Sequence, residues 1–172
     1  MEDIIYIGCD DSGYEMKLAV MERLRERGLS YLDCGGGPEP SRYPYYAARV
    51  ASAVSAGRIR RGILLCGSGV GMSIAANKFR GVRAAVVSDP YAARLTRRHN
   101  DSNILCLGGC LLGRWELLET VDVWLSTEYD GGHHQGSLEL IEQMEAVMFS
   151  GELWEPGEPP YPEFRWNPGQ SL

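Results

Sequence analysis

The densest chemistry in this chain lies between Arg61 and Lys78, in the stretch RGILLCGSGVGMSIAANK. A short apolar run at 63–65 leads straight into Cys66, then into alternating Gly67, Gly69 and Gly71, with Ser68 and Val70 between them. Glycines so placed let the backbone turn tightly and leave several N–H groups pointing into one space, where they can hold an anion. A cysteine at the mouth of such a nest sits in positive potential, which favours the thiolate. The pattern therefore pairs a thiolate base with an anion hole built from Gly67, Gly69, Val70 and Gly71. The competing reading is a small buried hydrophobe, the commonest fate of a free cysteine. A second polar cluster, Cys9, Asp10, Asp11, Ser12 and Gly13, follows the apolar run 4–7 and puts carboxylates at the end of a buried segment. Asp10 and Asp11 also read as a plain N-cap pair.

Regular elements must carry these residues. Short apolar runs at 4–7, 30–33, 63–65, 84–87 and 103–107 read as strands. Helices are expected from Tyr14 to the stop at Gly28, from Pro44 to Gly57, after the glycine loop, from Pro90 to about Arg98, and over 115–125 and 138–148. Ser88 and Asp89 cap the helix that Pro90 opens, and YDGGHHQG reads as a turn. Strands alternating with helices imply an α/β fold: a doubly wound, five-stranded parallel sheet of flavodoxin-like order, flanked by helices, with a C-terminal helix. Ligands of such sheets sit beyond the strand C-termini, where the strand order reverses. Asp10 and Cys66 would then face each other across that crevice. Residues 1–150 are expected to form one domain. From 151 to 172 the composition turns to Pro, Gly and aromatics, as in a tail that lies on a surface.

Composition narrows the function. The 172 residues are 44% hydrophobic and 23% charged, enough for a single packed core. A net charge of −6 and scattered arginines argue against a nucleic-acid surface. The acidic start, MEDIIYIGCDD, resembles neither a signal peptide nor a membrane span. Five cysteines without paired spacing fit reduced thiols in a cytoplasm, and none of them has zinc-ligand spacing, so no metal is expected.

The segments GCDDSGYEMK, RYPYYA, GILLCGSGVGMSIAANK, GVRAA and RRHNDSNILCLGG resemble the ribose-5-phosphate isomerase B family, which includes the galactose-6-phosphate isomerase subunits. The likeness runs in register from residue 4 to about 141. It implies a cofactor-free aldose–ketose isomerase, a homodimer or dimer of dimers with active sites at the subunit interface, acting on a small sugar. Carried over by position, Cys66 matches the base that moves a proton between C1 and C2, and the loop from Gly67 to Gly71 matches the nest for the enediolate. Ser68 stands where threonine is common. His99 matches the residue assigned to ring opening, and Asp10, Tyr43 and Asn100 match substrate contacts.

The departures fall at one end of the substrate. Asp11 stands where the family has histidine, and Cys110, His133 and Ser137 stand where it has arginines. These are the positions that the resemblance assigns to the substrate phosphate, which needs several charge-assisted hydrogen bonds. Arg42 replaces an acidic residue before Tyr43, so one positive charge is added, either as a ligand or as a plain surface arginine. His133 could face substrate or sit in a solvated turn. The expectation is an isomerase for a sugar or sugar acid without a terminal phosphate. Three other readings stay open: a sugar-phosphate isomerase with relocated phosphate ligands, a nucleotide-binding module, against which the GxGxG spacing after a third strand speaks, and a catalytically silent sugar-binding subunit.

Overall fold

The computed structural model describes residues 4–149; the expected tail at 151–172 lies outside them. Five strands, β1 (Ile5–Cys9), β2 (Tyr31–Asp33), β3 (Gly62–Cys66), β4 (Ala84–Val86) and β5 (Ile104–Gly108), alternate with helices. The helices are α1 (Tyr14–Glu26), α2 (Tyr43–Ser55), α3 (Val70–Ala76), α4 (Pro90–Asn100), α5 (Arg114–Ser126) and α6 (His134–Met148). All strand pairs are parallel.

Each central strand is apolar throughout because both faces of the sheet are covered. Along β3, Ile63 and Leu65 pack into one layer with α1, α4 and α5, whereas Leu64 and Cys66 enter the opposite layer with α2 and α3. Alternation at period two therefore sends Cys66 to the α2/α3 side. In the first layer Trp124 of α5 is fully buried and donates from Nε1 to Ser102 Oγ at 2.8 Å. That bond gives the indole a polar partner at the foot of β5, as a buried tryptophan requires.

The sheet order is β2-β1-β3-β5-β4. The expected flavodoxin-like order holds for β2, β1 and β3, but the last two strands are exchanged. The cause is burial. Every residue of β5 is buried, so it needs neighbours on both sides, whereas β4 is three residues long, half-buried to exposed, and suits an edge. The reversal point still lies between β1 and β3, as expected.

A second correction concerns the YDGGHHQG segment. The structure turns only as far as His133, which caps α6, and His134, Gln135, Gly136 and Ser137 are already helical. The Asp130 N–H donates to the Arg98 carbonyl at 3.0 Å, and the His134 ring stacks on His99 with centroids 4.3 Å apart. These tertiary ties start the helix early, ahead of its apolar period. No described helix is long and apolar enough to cross a membrane.

Candidate active site

Cys66 ends β3 and is 5% exposed. Its Sγ accepts a hydrogen bond from the Gly69 N–H at 3.1 Å, so the glycine loop folds back over the sulfur. Gly69 can make this turn because its φ is +79°, a left-handed conformation that opens α3 without a side-chain penalty. Beyond it, the Val70 N–H donates to Ser68 Oγ at 3.3 Å. Val70 and Gly71 form the first turn of α3, where backbone amides have no intrahelical acceptors. The Tyr43 ring covers Gly71: a Cβ there would fall 2.9 Å from the ring. Arg42, exposed, caps the N-terminus of α2 beside it.

Asp10 lies on the other side of the crevice. Its N–H donates to the Leu65 carbonyl at 3.2 Å, which fixes it next to Cys66. Asp10 Oδ1 accepts from Ser12 Oγ at 2.7 Å and from the Gly13 N–H at 3.2 Å, so it caps the short turn that leads into α1. Burial holds the Asp10 carboxyl above its ordinary range, with the bonds from Ser12 and Gly13 working against that shift and the nearby Asp11 adding to it. Asp11 Oδ1 instead accepts from the Ser41 N–H at 3.2 Å and so ties down the loop before Tyr43. Cys110 stands across from Ser12: its N–H donates to the Gly67 carbonyl at 3.0 Å and its thiol lies 3.8 Å from the Ser12 carbonyl. Partial burial and the charges of Asp10 and the Cys66 sulfur push the Cys110 thiol up.

Sequence reasoning missed what holds this rim together. Lys17 is 1% exposed, with Nζ 2.9 Å from Asp33 and bonded to the carbonyls of Gly35 and Gly36 at 3.2 and 2.7 Å. It clamps the glycine loop after β2, the same loop that reaches Asp11 through Ser41. No local pattern marks it, because its partners come from another element.

The other expected site residues lie elsewhere. Cys66 pairs with Gly108 and Gly62 with Ile104, so Cys66 and the start of β5 are at opposite ends of the sheet. His99 and Asn100 end α4, and Asn103 accepts from the Gly62 N–H at 2.9 Å, at the far end. The length of β3, roughly 13 Å, lies between them. His133 and Ser137 share the far rim, placed there by the His99–His134 stack and the Arg98–Asp130 ion pair at 2.8 Å. The chain thus brings Asp10, Asp11, Arg42, Tyr43, Cys66 to Gly71 and Cys110 together on one rim. His99, Asn100, His133 and Ser137 form a second group on the other.

Comparison with known proteins assigns this architecture. The model of the Ribose/Galactose Isomerase family matches residues 5–141. The chain belongs to that family. It is an isomerase of the aldose–ketose type. It is 46% identical to the ribose-5-phosphate isomerase B of Escherichia coli strain K12 over 142 residues, 82% of this chain and 95% of that one. It is 37% identical to the D-erythrulose-4-phosphate isomerase of Pectobacterium atrosepticum, across 81% of this chain and 91% of that relative. The structure of Clostridium thermocellum ribose-5-phosphate isomerase B superposes with a TM-score of 0.82 at 43% identity, covering 84% of this chain and 98% of that one. The isomerase therefore shares the overall fold of that structure.

Proposed function

We propose that this isomerase interconverts an aldose and a ketose through an enediolate, with Cys66 as the base, on a sugar or sugar acid that carries no terminal phosphate. The observation that carries the reaction is the Gly69 N–H resting on Cys66 Sγ at the mouth of the glycine loop. A thiolate there takes the proton from C2 of the open-chain aldose; the electron pair moves toward C1 and charge gathers on the carbonyl oxygen. Amides of the loop from Gly67 to Gly71 receive that charge, and a preorganised donor in a water-poor site contributes about 3–4 kcal/mol. The proton returns to C1, while Ser68 beside the loop exchanges the hydroxyl proton. Atoms and electrons balance within the substrate, so the step needs no cofactor.

His99 and Asn100 act from a second copy. Their position at the opposite rim from Cys66 supports a homodimer, or dimer of dimers, in which the α4 end and His133 of one protomer close over the Cys66 rim of its partner. His99 then serves ring opening, and Asp10, Tyr43 and Asn100 contact sugar hydroxyls.

The missing phosphate follows from charge. Asp11, Cys110, His133 and Ser137 occupy the end of the substrate where the family resemblance implies basic groups, and Asp10 and Asp11 sit beside Cys110. The Asp11 carboxylate repels a phosphate dianion, and Arg42 alone suits a single carboxylate at most. The names of the relatives favour the second reading, a sugar phosphate held through Arg42. Assay of each pentose, tetrose and hexose beside its phosphate separates the two. Higher kcat/KM for an unphosphorylated sugar is expected, and a consistent preference for the phosphates would sink the proposal. Cys66→Ala should abolish turnover of the preferred substrate; retained turnover would remove the cysteine mechanism.

A further inference from the structure

The chain contains three histidines, at 99, 133 and 134, and the fold gathers all of them at the far rim. His99 and His134 stack with ring centroids 4.3 Å apart, and His133 tilts against His134 at 3.9 Å. Asp130 completes the group: one ligand atom from each of His99, Asp130 and His134 lies within 4.8 Å of the others. Two imidazoles and a carboxylate are the donor set that suits borderline divalent ions, zinc above all, and leave a fourth position for water or another ligand. We propose that His99, Asp130 and His134 bind a divalent transition metal ion, with Zn2+ as the best-suited ligand.

Several features of the rim support a built site. The three donors come from three places, the end of α4, the turn before α6 and the first residue of α6, so the tertiary fold rather than one flexible segment sets their spacing. Asp130 is already oriented: Arg98 donates to both its oxygens from Nε, at 3.1 and 2.8 Å. A hydrogen-bonded outer partner of this kind fixes a ligating carboxylate, which still has lone pairs to offer. Within one protomer His99 and His134 are half-buried and Asp130 is exposed. Ligand atoms about a tetrahedral ion stand roughly 3.4 Å apart, given metal–ligand distances near 2.1 Å. Rotation of the two imidazoles and the carboxylate by about an ångström of ligand movement closes the site.

Capture of His99 has a consequence for catalysis. With the ion on the ring, His99 can no longer accept and donate the proton that opens the sugar, so bound Zn2+ inhibits the isomerase. This second part rests on the role proposed above for His99; the binding itself does not. The experiment therefore reads the two separately. EDTA-treated full-length protein is titrated with Zn2+ by calorimetry, and with Co2+ by visible absorption. One ion per chain is expected, with His134→Asn and Asp130→Asn each weakening binding roughly tenfold or more. Circular dichroism of the variants checks that they fold. Cys110→Ser, which removes the exposed thiol, should leave the affinity unchanged. Absence of stoichiometric binding, or affinity untouched in both rim variants, overturns the site. So does loss of binding in Cys110→Ser. In the assay, the ratio of activity with Zn2+ to activity with EDTA should rise toward one in His134→Asn. Intact binding without inhibition would leave the metal site standing and remove the role given to His99.

Discussion

Gly69 donates its backbone N–H to the sulfur of Cys66 at 3.1 Å, and it does so from a φ of +79°. The bond and the backbone conformation depend on each other, because only that turn brings the amide back over the end of β3.

Gly69→Ala should therefore impair the loop while leaving the sheet intact. A Cβ at this position would lie 3.0 Å from the Leu107 carbonyl carbon, and the left-handed conformation itself costs an alanine about 1–2 kcal/mol. The expected result is a modest fall in thermal midpoint together with a drop in kcat of roughly a hundredfold, the scale for loss of one oriented donor. Steady-state kinetics alongside a melting curve would show whether kcat falls out of proportion to stability; equal activity in the variant would mean that the amide does not matter.

Lys17→Met tests the clamp on the opposite lip. Removal of the ammonium leaves Asp33 and the carbonyls of Gly35 and Gly36 without their shared donor. Asp33 reaches solvent and can rehydrate, so the loss should be about 2–3 kcal/mol, below that of a fully buried pair. Urea denaturation measures it. The same variant should show a raised KM, because the loop that Lys17 holds runs on to Ser41 and Tyr43.

Asp10 sets a pH dependence with a definite sign. Burial raises its carboxyl above the unfolded value, so the fold favours the protonated form. The stabilisation from that form is fully present below the unfolded pKa and is lost as pH rises through the folded one. Asp10→Asn keeps an oxygen for Ser12 and Gly13 but cannot ionise. The difference in unfolding free energy, variant minus wild type, should thus grow from about pH 3.5 to pH 7. Urea titrations at both pH values give that difference, and a flat or falling result would contradict the assigned shift.

Asp11→His combined with Cys110→Arg and Ser137→Arg should turn the substrate preference. Each arginine can add a charge-assisted hydrogen bond of about 1.5–3 kcal/mol to a phosphate, and the first change removes a repelling carboxylate. kcat/KM for phosphorylated sugars should rise by at least roughly a hundredfold relative to their unphosphorylated partners. No change in that ratio would mean that these positions do not meet the distal end of the substrate. Asp11→His also removes the acceptor for the Ser41 N–H, so the single variant serves as the control for loop disturbance.

Local pattern was enough to place most elements. The apolar runs located all five strands to within two residues, and Asp89 with Pro90 marked the start of α4, where Asp89 accepts from the Ala92 N–H at 2.7 Å. Strand order was less legible. β4 and β5 both read as short apolar runs, and what separates centre from edge is how many neighbours each residue packs against. The start of α6 was hidden for a related reason: His134 is helical because His99 and Arg98 hold that turn, and both are some thirty residues away.

The sequence by itself determined the Cys66 turn, since Cys66 and its glycine loop are contiguous and their geometry follows from backbone rules that act over a few residues. Tertiary structure alone decided the rest. Parallel strands joined by helices send successive loops to opposite ends of the sheet, so Cys66 and His99 part company although the family resemblance implies one shared site for them. The same topology draws His99, Asp130 and His134 into one group, which no spacing in the chain announces.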